Sequence, residues 1–128
     1  MDNTATVQNT PSWKENQFSP ALPAEKMLWY RRHYLPDPEG WADPQASPLL
    51  NVGGWEEQPR ALVVVGELDV LRTEGEEYAR KLREAGVETE LRIWKGMPHP
   101  FLAMDGVLAQ GRETITGMVE GLKSVFGT

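Results

Sequence analysis

The chain has 128 residues, 40% hydrophobic and 25% charged, which is room for one domain with a core. Its 19 acidic residues outnumber 13 basic ones for a net charge of −6, so electrostatics argue against binding a phosphate backbone and against a nucleic-acid partner. No apolar run approaches a membrane span, Met1-Asp-Asn-Thr-Ala5 lacks a charged-then-apolar leader pattern, and the absence of cysteine rules out a thiol nucleophile and fits a cytoplasmic protein.

Residues 1–22 are polar, carry Pro11 and Pro20, show no periodicity and read as extended or disordered. Pro23 opens a helix that runs to about Tyr34, because its fixed φ and missing N–H suit a helix start; Met27, Tyr30 or Arg31, and Tyr34 are spaced for one face. His33 lies on this helix beside Arg31 and Arg32, whose charges imply solvent or a partner-facing surface. Residues 36–59 form a loop holding Pro36, Pro38, Pro44, Pro48 and Pro59. Within it Trp41 and Trp55 read as packing anchors, since aromatic side chains dominate burial energetics. Residues 23–60 are thus a helix and a Pro-rich loop.

From residue 61 the pattern becomes regular. Ala61-Leu-Val-Val-Val65 is apolar on both faces, as a central parallel strand is. Thr73 and Glu76 form a capping box that predicts a helix from about Glu74 to Ala85, stopped by Gly86. In the strand Val87–Trp94, Val87, Leu91 and Ile93 alternate with Glu88, Glu90 and Arg92, the period of a half-exposed strand at a sheet edge. Asp105 is expected to cap a final helix in which Leu108, Gly111, Ile115, Met118, Val119, Leu122 and Val125 recur at helical spacing. Residues 61–128 therefore read as an α/β core: a βαβ unit with parallel strands plus a C-terminal helix. Two strands do not make an independent parallel sheet, and the open edge at 61–65 is expected to pair with another chain or with upstream sequence.

Two residues stand where chemistry is expected. Ligands of open parallel sheets sit outside the carboxyl ends of the strands, and Asp69 and His99 each fall just past such an end. An imidazole with an ordinary pKa near about 6.5 suits proton transfer. The plain structural alternatives are a turn residue for Asp69 and, for His99, a histidine stiffened between Pro98 and Pro100. His33 and His99 are too few and too far apart for a structural zinc site, so no metal is expected.

Gly66-Glu-Leu-Asp-Val-Leu-Arg-Thr-Glu-Gly75, Tyr78-Ala-Arg-Lys-Leu82, Ala85-Gly86-Val87, Glu90-Leu-Arg92 and Gly96-Met-Pro-His99 followed by Phe101 resemble the C-terminal part of hormone-sensitive-lipase-like carboxylesterases, within the α/β-hydrolase fold. Ser12-Trp-Lys-Glu-Asn16, Met27-Leu-Trp-Tyr30, Tyr34-Leu35 and Ala46-Ser-Pro-Leu49 are similar to the family's stretch before its acid-bearing strand, so the match covers nearly the whole chain. The triad of such enzymes runs Ser, then Asp or Glu, then His, and a C-terminal piece carries the last two. The resemblance implies Asp69 as the triad acid, His99 as its base, a small ester as substrate once an upstream half completes the site, and no cofactor. It also suggests self-association through the last strand, 87–94, beside the open edge at 61–65. Where the family generally has Gly after the histidine, this chain has Pro100, which biases His99 toward extended backbone.

The nucleophile is missing. The elbow reads Gly-x-Ser-x-Gly and the oxyanion hole needs a His-Gly-Gly type turn. Ser12, Ser19, Ser47 and Ser124 have no glycine two residues away, Gly53-Gly54 follows Val52, and neither histidine precedes a glycine. Three readings follow in order: a C-terminal segment of a carboxylic ester hydrolase, inactive alone and completed from upstream sequence; a non-catalytic interaction module on the same half-fold; and an Asp69/His99 acid–base enzyme that needs no serine.

Overall fold

The computed structural model describes residues 1–127. Its elements are helices α1 (Pro11–Glu15) and α2 (Ala24–Tyr34), strand β1 (Ala61–Gly66), helix α3 (Arg72–Glu84), strand β2 (Thr89–Trp94) and helix α4 (Ala109–Phe126). Short 3₁₀ turns at Pro38–Ala42, Pro48–Leu50 and His99–Met104 join them. The fold class is α/β, and β1 pairs with β2 in parallel, from Ala61↔Thr89 to Gly66↔Trp94. Both strands end together, so the loops that follow them emerge side by side.

Helix α3 connects the two strands and packs on β1 with Ala79 and Leu82 buried. The contact is close because Gly75 has no side chain, and a Cβ there would collide with Cγ1 of Val65. At its far end Gly86 takes φ +82, a left-handed conformation that costs glycine little and stops the helix.

The N-terminal region departs from the expectation of an extended or disordered chain over residues 1–22. Trp13 is fully buried, and it belongs to a core cluster with Ala5, Leu22, Ala24, Met27 and Val70. Part of the reason is Trp13, and part is the bonding of Ser12, Asn16 and Ser19 to the loop after β1. The Trp13 ring supplies apolar area that the short α1 could not bury alone, and its indole N–H donates to Oε2 of Glu74 at 3.1 Å. Arg31 also departs from expectation. It is only 2% exposed, lies over the rings of Trp13 and Trp41 at 5.0 and 5.3 Å, and donates to the Ala5 carbonyl at 2.8 Å. A guanidinium is planar and weakly hydrated, so stacking between indoles offsets part of its desolvation. His33 is exposed and stacked on Trp29, with ring centroids 4.0 Å apart. Trp55 packs against Tyr78 at 5.5 Å.

Two helix starts differ from the sequence reading. Helix α3 begins at Arg72 rather than Glu74, with Leu71 at the N-cap and no capping box. Asp69 accounts for the difference: its Oδ1 accepts the Leu71 N–H at 2.8 Å and its carbonyl the Arg72 N–H at 3.1 Å, so the first turn closes upstream of Thr73. Helix α4 begins at Ala109 with Leu108 as N-cap, and Asp105 caps nothing. The Met104 carbonyl accepts both Val107 N–H and Leu108 N–H, which completes a separate turn before α4 starts, and Asp105 instead offers its carbonyl to Arg112 at 2.6 Å.

Truncating Trp13 to alanine empties the centre of the N-terminal cluster and removes the donor from Oε2 of Glu74, whose Oε1 keeps the Asp2 N–H. Trp13→Ala is expected to lower stability by about 3–5 kcal/mol, measured as a fall in the urea midpoint.

Candidate active site

The parallel register decides what meets at the carboxyl end of the sheet. Past Gly66 the chain enters the loop Glu67–Leu71, and past Trp94 it enters the loop Lys95–Pro98, which leads into the 3₁₀ turn His99–Met104. The two loops are bonded to each other. Glu67 N–H donates to the Trp94 carbonyl at 2.9 Å, Leu68 N–H to the Met97 carbonyl at 3.0 Å, and Gly96 N–H to Oε2 of Glu67 at 2.7 Å. Gly66 permits this approach, since a Cβ there would collide with the Met97 carbonyl oxygen. Gly96 turns the second loop with φ +69.

The result is a hydrogen bond between Oδ2 of Asp69 and Nδ1 of His99 at 2.7 Å, across 30 positions of sequence. An ionised carboxylate only accepts, so Nδ1–H is the donor and Nε2 is left with a lone pair. The other carboxylate oxygen, Oδ1, is held by the Leu71 N–H, which leaves Oδ2 to the imidazole. The Asp69 side chain is 6% exposed and that of His99 47% exposed, so the acid is sealed and the imidazole reaches the surface. Pro100 occupies the second position of the 3₁₀ turn, where its missing N–H costs nothing because no partner within the turn awaits it. His99 thus begins a helical turn rather than an extended stretch.

The Asp69 hydrogen bond raises the His99 pKa above its ordinary 6.5; burial opposes the rise and the charge of Asp69 adds to it. Charge on the imidazole is therefore favoured in the folded protein. By linkage, a raised folded pKa contributes stability that is complete below 6.5 and is lost as pH rises through the folded midpoint.

Every serine hydroxyl is committed to a backbone carbonyl: Ser12 to Val70, Ser19 to Leu68, Ser47 to Trp41 and Ser124 to Gly121. Among the described residues, no group of three or more His, Cys, Asp or Glu side chains is placed to hold a metal, and no helix is long and apolar enough to cross a membrane. Sequence reasoning assigned no role to Ser12, Asn16, Ser19, Gly66 or Glu67, all of which touch the acid loop or let it approach its neighbour. For the first two the available signal was their place in the family-like segment Ser12–Asn16.

A family model described as alpha/beta hydrolase fold matches residues 2–103. An AB hydrolase superfamily protein of Schizosaccharomyces pombe is 45% identical over 112 residues, covering 87% of this chain and 33% of its own length. An ethyl acetate hydrolase of Pseudomonas putida is 33% identical over 102 residues, covering 80% and 32%. Among solved structures, a thermostable carboxylesterase cloned from a metagenomic library superposes with a TM-score of 0.84 at 37% identity, over 94% of this chain and 41% of that one. A hyperthermophilic esterase of Pyrobaculum calidifontis gives 0.86 at 33% identity, over 94% and 39%. The chain spans about a third of the length of these two curated relatives.

Asp69→Asn is expected to lower the His99 midpoint, followed by the imidazole resonances in an NMR pH titration, because the amide loses the charge and the better acceptor. The same substitution should flatten the decline in unfolding free energy between pH 6 and pH 8 (approximate bounds of ordinary histidine titration). An unmoved midpoint would show that the 2.7 Å bond does not form in solution.

Proposed function

The chain belongs to the α/β-hydrolase fold family, in its hormone-sensitive-lipase-like branch, and from that premise we propose that it is the acid- and histidine-bearing segment of a carboxylic ester hydrolase. The observation that carries this reading is the 2.7 Å bond from Nδ1 of His99 to an Asp69 carboxylate whose other oxygen is already occupied. A second support is that relatives named as an ethyl acetate hydrolase and a carboxylesterase act on esters.

In this proposal Asp69 fixes the tautomer of His99 and stabilises the imidazolium as it forms. Nε2 takes the proton from a serine hydroxyl supplied by upstream sequence, the alkoxide attacks the ester carbonyl, and the imidazolium returns the proton to the departing alcohol. The half-exposed ring is suited to this exchange, and its raised pKa makes it a stronger base. The chain itself contributes neither nucleophile nor oxyanion hole, since it contains no Gly-x-Ser-x-Gly and its four serine hydroxyls are bound to carbonyls.

Alone, the chain is expected not to hydrolyse short-chain p-nitrophenyl esters above a His99→Ala control. Co-produced with an upstream segment bearing Gly-x-Ser-x-Gly, it should hydrolyse them, and in that complex Asp69→Asn should cost on the order of 10⁴-fold in kcat and His99→Ala on the order of 10⁶-fold. Turnover by the chain alone, titrated stoichiometrically by a serine-directed phosphonate, would sink the assignment.

One specific observation favours a second reading, an interaction module. Helix α4 exposes Ile115, Met118, Val119, Leu122, Val125 and Phe126, and an open cleft of about 440 Å³ runs between it and the N-terminal ends of the strands, lined by Leu62, Met118 and Leu122 among others. Monomeric proteins rarely leave an apolar face of this kind bare. In the ester-hydrolase reading the upstream half covers it, and without that half the chain self-associates through the strand edge at 61–65 or at 87–94. The isolated chain is therefore expected to bind a hydrophobic dye or elute as an oligomer, and the upstream segment should abolish both. Dye binding or oligomerisation that the upstream segment leaves unchanged favours an independent module.

A further inference from the structure

We infer that the segment Ser12–Ser19 is a clamp that sets the position of Asp69, with Asn16 as its central positioning residue. The inference rests on the reading of Asp69 and His99 as triad acid and base.

The loop 67–71 belongs to neither strand nor helix, so its backbone groups need partners from elsewhere. Its N–H groups look toward the sheet and the histidine loop: Glu67 to Trp94, Leu68 to Met97 and Asp69 to Gly66. The carbonyls of residues 67–70 all accept from side chains of one segment, and two are shared with α3: that of Glu67 with Nη1 of Arg72 at 2.8 Å and that of Asp69 with the Arg72 N–H at 3.1 Å. Nδ2 of Asn16 donates to Glu67 at 3.1 Å and to Asp69 at 3.0 Å. The Ser19 hydroxyl donates to Leu68, and the Ser12 hydroxyl to Val70 at 2.6 Å. Four consecutive carbonyls, 67 to 70, are therefore held by three side chains within residues 12–19. Ser12 adds a reciprocal pair with Thr73 at the first turn of α3: its Oγ accepts Thr73 N–H at 3.0 Å and its N–H donates to Oγ1 of Thr73 at 3.1 Å.

Asn16 has the right chemistry for the centre. Its Nδ2 reaches one carbonyl on each side of Leu68, so the 67–68 and 69–70 peptide planes are held by one planar group, and Ser19 holds the 68–69 plane between them. All three clamp residues are buried, so water does not compete for these carbonyls. Fixing the Asp69 carbonyl fixes its Cα, and through it the carboxylate that Leu71 N–H and His99 share. A carboxylate at position 16 would have no protons to give and would face two carbonyl oxygens.

The test is an NMR pH titration of His99 in the whole chain. Asn16→Ala is expected to move the His99 midpoint downward, toward that of Asp69→Asn, and to broaden or shift the hydrogen-bonded Nδ1 proton upfield. Ser47→Ala is the control: it removes another buried hydroxyl that bonds a backbone carbonyl, away from Asp69, and should leave the midpoint in place. If Asn16→Ala does not fold, Ser19→Ala, which loses only the bond to Leu68, should give a smaller shift of the same sign. In the complex with an upstream half, Asn16→Ala should lower kcat and leave KM unchanged. A midpoint that moves with Asp69→Asn but stays fixed with Asn16→Ala, or with Ser19→Ala where the former is unfolded, overturns the clamp and leaves the dyad standing. A midpoint indifferent to Asp69→Asn overturns the dyad, and the clamp's role with it.

Discussion

The parallel pairing of β1 with β2, closed at Gly66↔Trp94, is the constraint on which the other features depend. Parallel strands bring both carboxyl ends to one side, and equal strand lengths bring them to one level. The loops after them bond with each other, with the N-terminal segment and with Arg72 at the start of α3. Asp69 and His99 meet because Gly66 lets the Met97 backbone lie against the end of β1. A side chain at that point would push the histidine loop away at the one place where the sheet has no further rung to resist.

The architecture is polarised. At the carboxyl end, almost every backbone group of the acid loop is satisfied, and the neighbouring core around Trp13 is dense. At the opposite end, β1 is only half-buried over Ala61–Val64, and α4 presents its apolar stripe to the cleft. Apolar surface left in water costs roughly 25 cal/mol per Å², so the two ends stand in unequal thermodynamic positions. The dense end depends on contacts made inside the chain, and the bare end on whatever covers it.

How much of this was legible in the sequence varied with the physics of each part. The strands, expected at 61–65 and 87–94 and found at Ala61–Gly66 and Thr89–Trp94, and the end of α3 at Gly86 are legible because alternation, β-branching and glycine's left-handed freedom are local signals. The positions of Asp69 and His99 past the strand ends followed from those boundaries. The start of α3 was misread because its first N–H groups are satisfied by Asp69, a residue that sequence patterning had assigned to the site and not to the helix. The N-terminal segment was misread more deeply. Its order comes from Ser12, Asn16 and Ser19 bonding to carbonyls some fifty positions away, and short polar side chains leave no periodicity to detect. For Arg31 spacing and charge point opposite ways, one to the face shared with Met27 and the other to solvent, and the sandwich between Trp13 and Trp41 that decides for burial exists only once the chain has folded.

The long span of those bonds has a kinetic meaning. Asn16 reaches Glu67 and Asp69 across 51 and 53 positions, whereas α3 and its turn are built from neighbours. Loop-closure entropy must be met before such a contact contributes anything, so the local βαβ unit can form early and the acid loop acquires its final shape late. The bonds from Ser12, Asn16 and Ser19 are separate from the strand pairing, so losing them would leave β1 and β2 hydrogen-bonded to each other. Amide exchange at Leu71, whose N–H rests on the Asp69 carboxylate, would then report the closing of the loop and not the folding of the protein. The Asp69–His99 bond thus lies in the part of the molecule held by contacts of long sequence span.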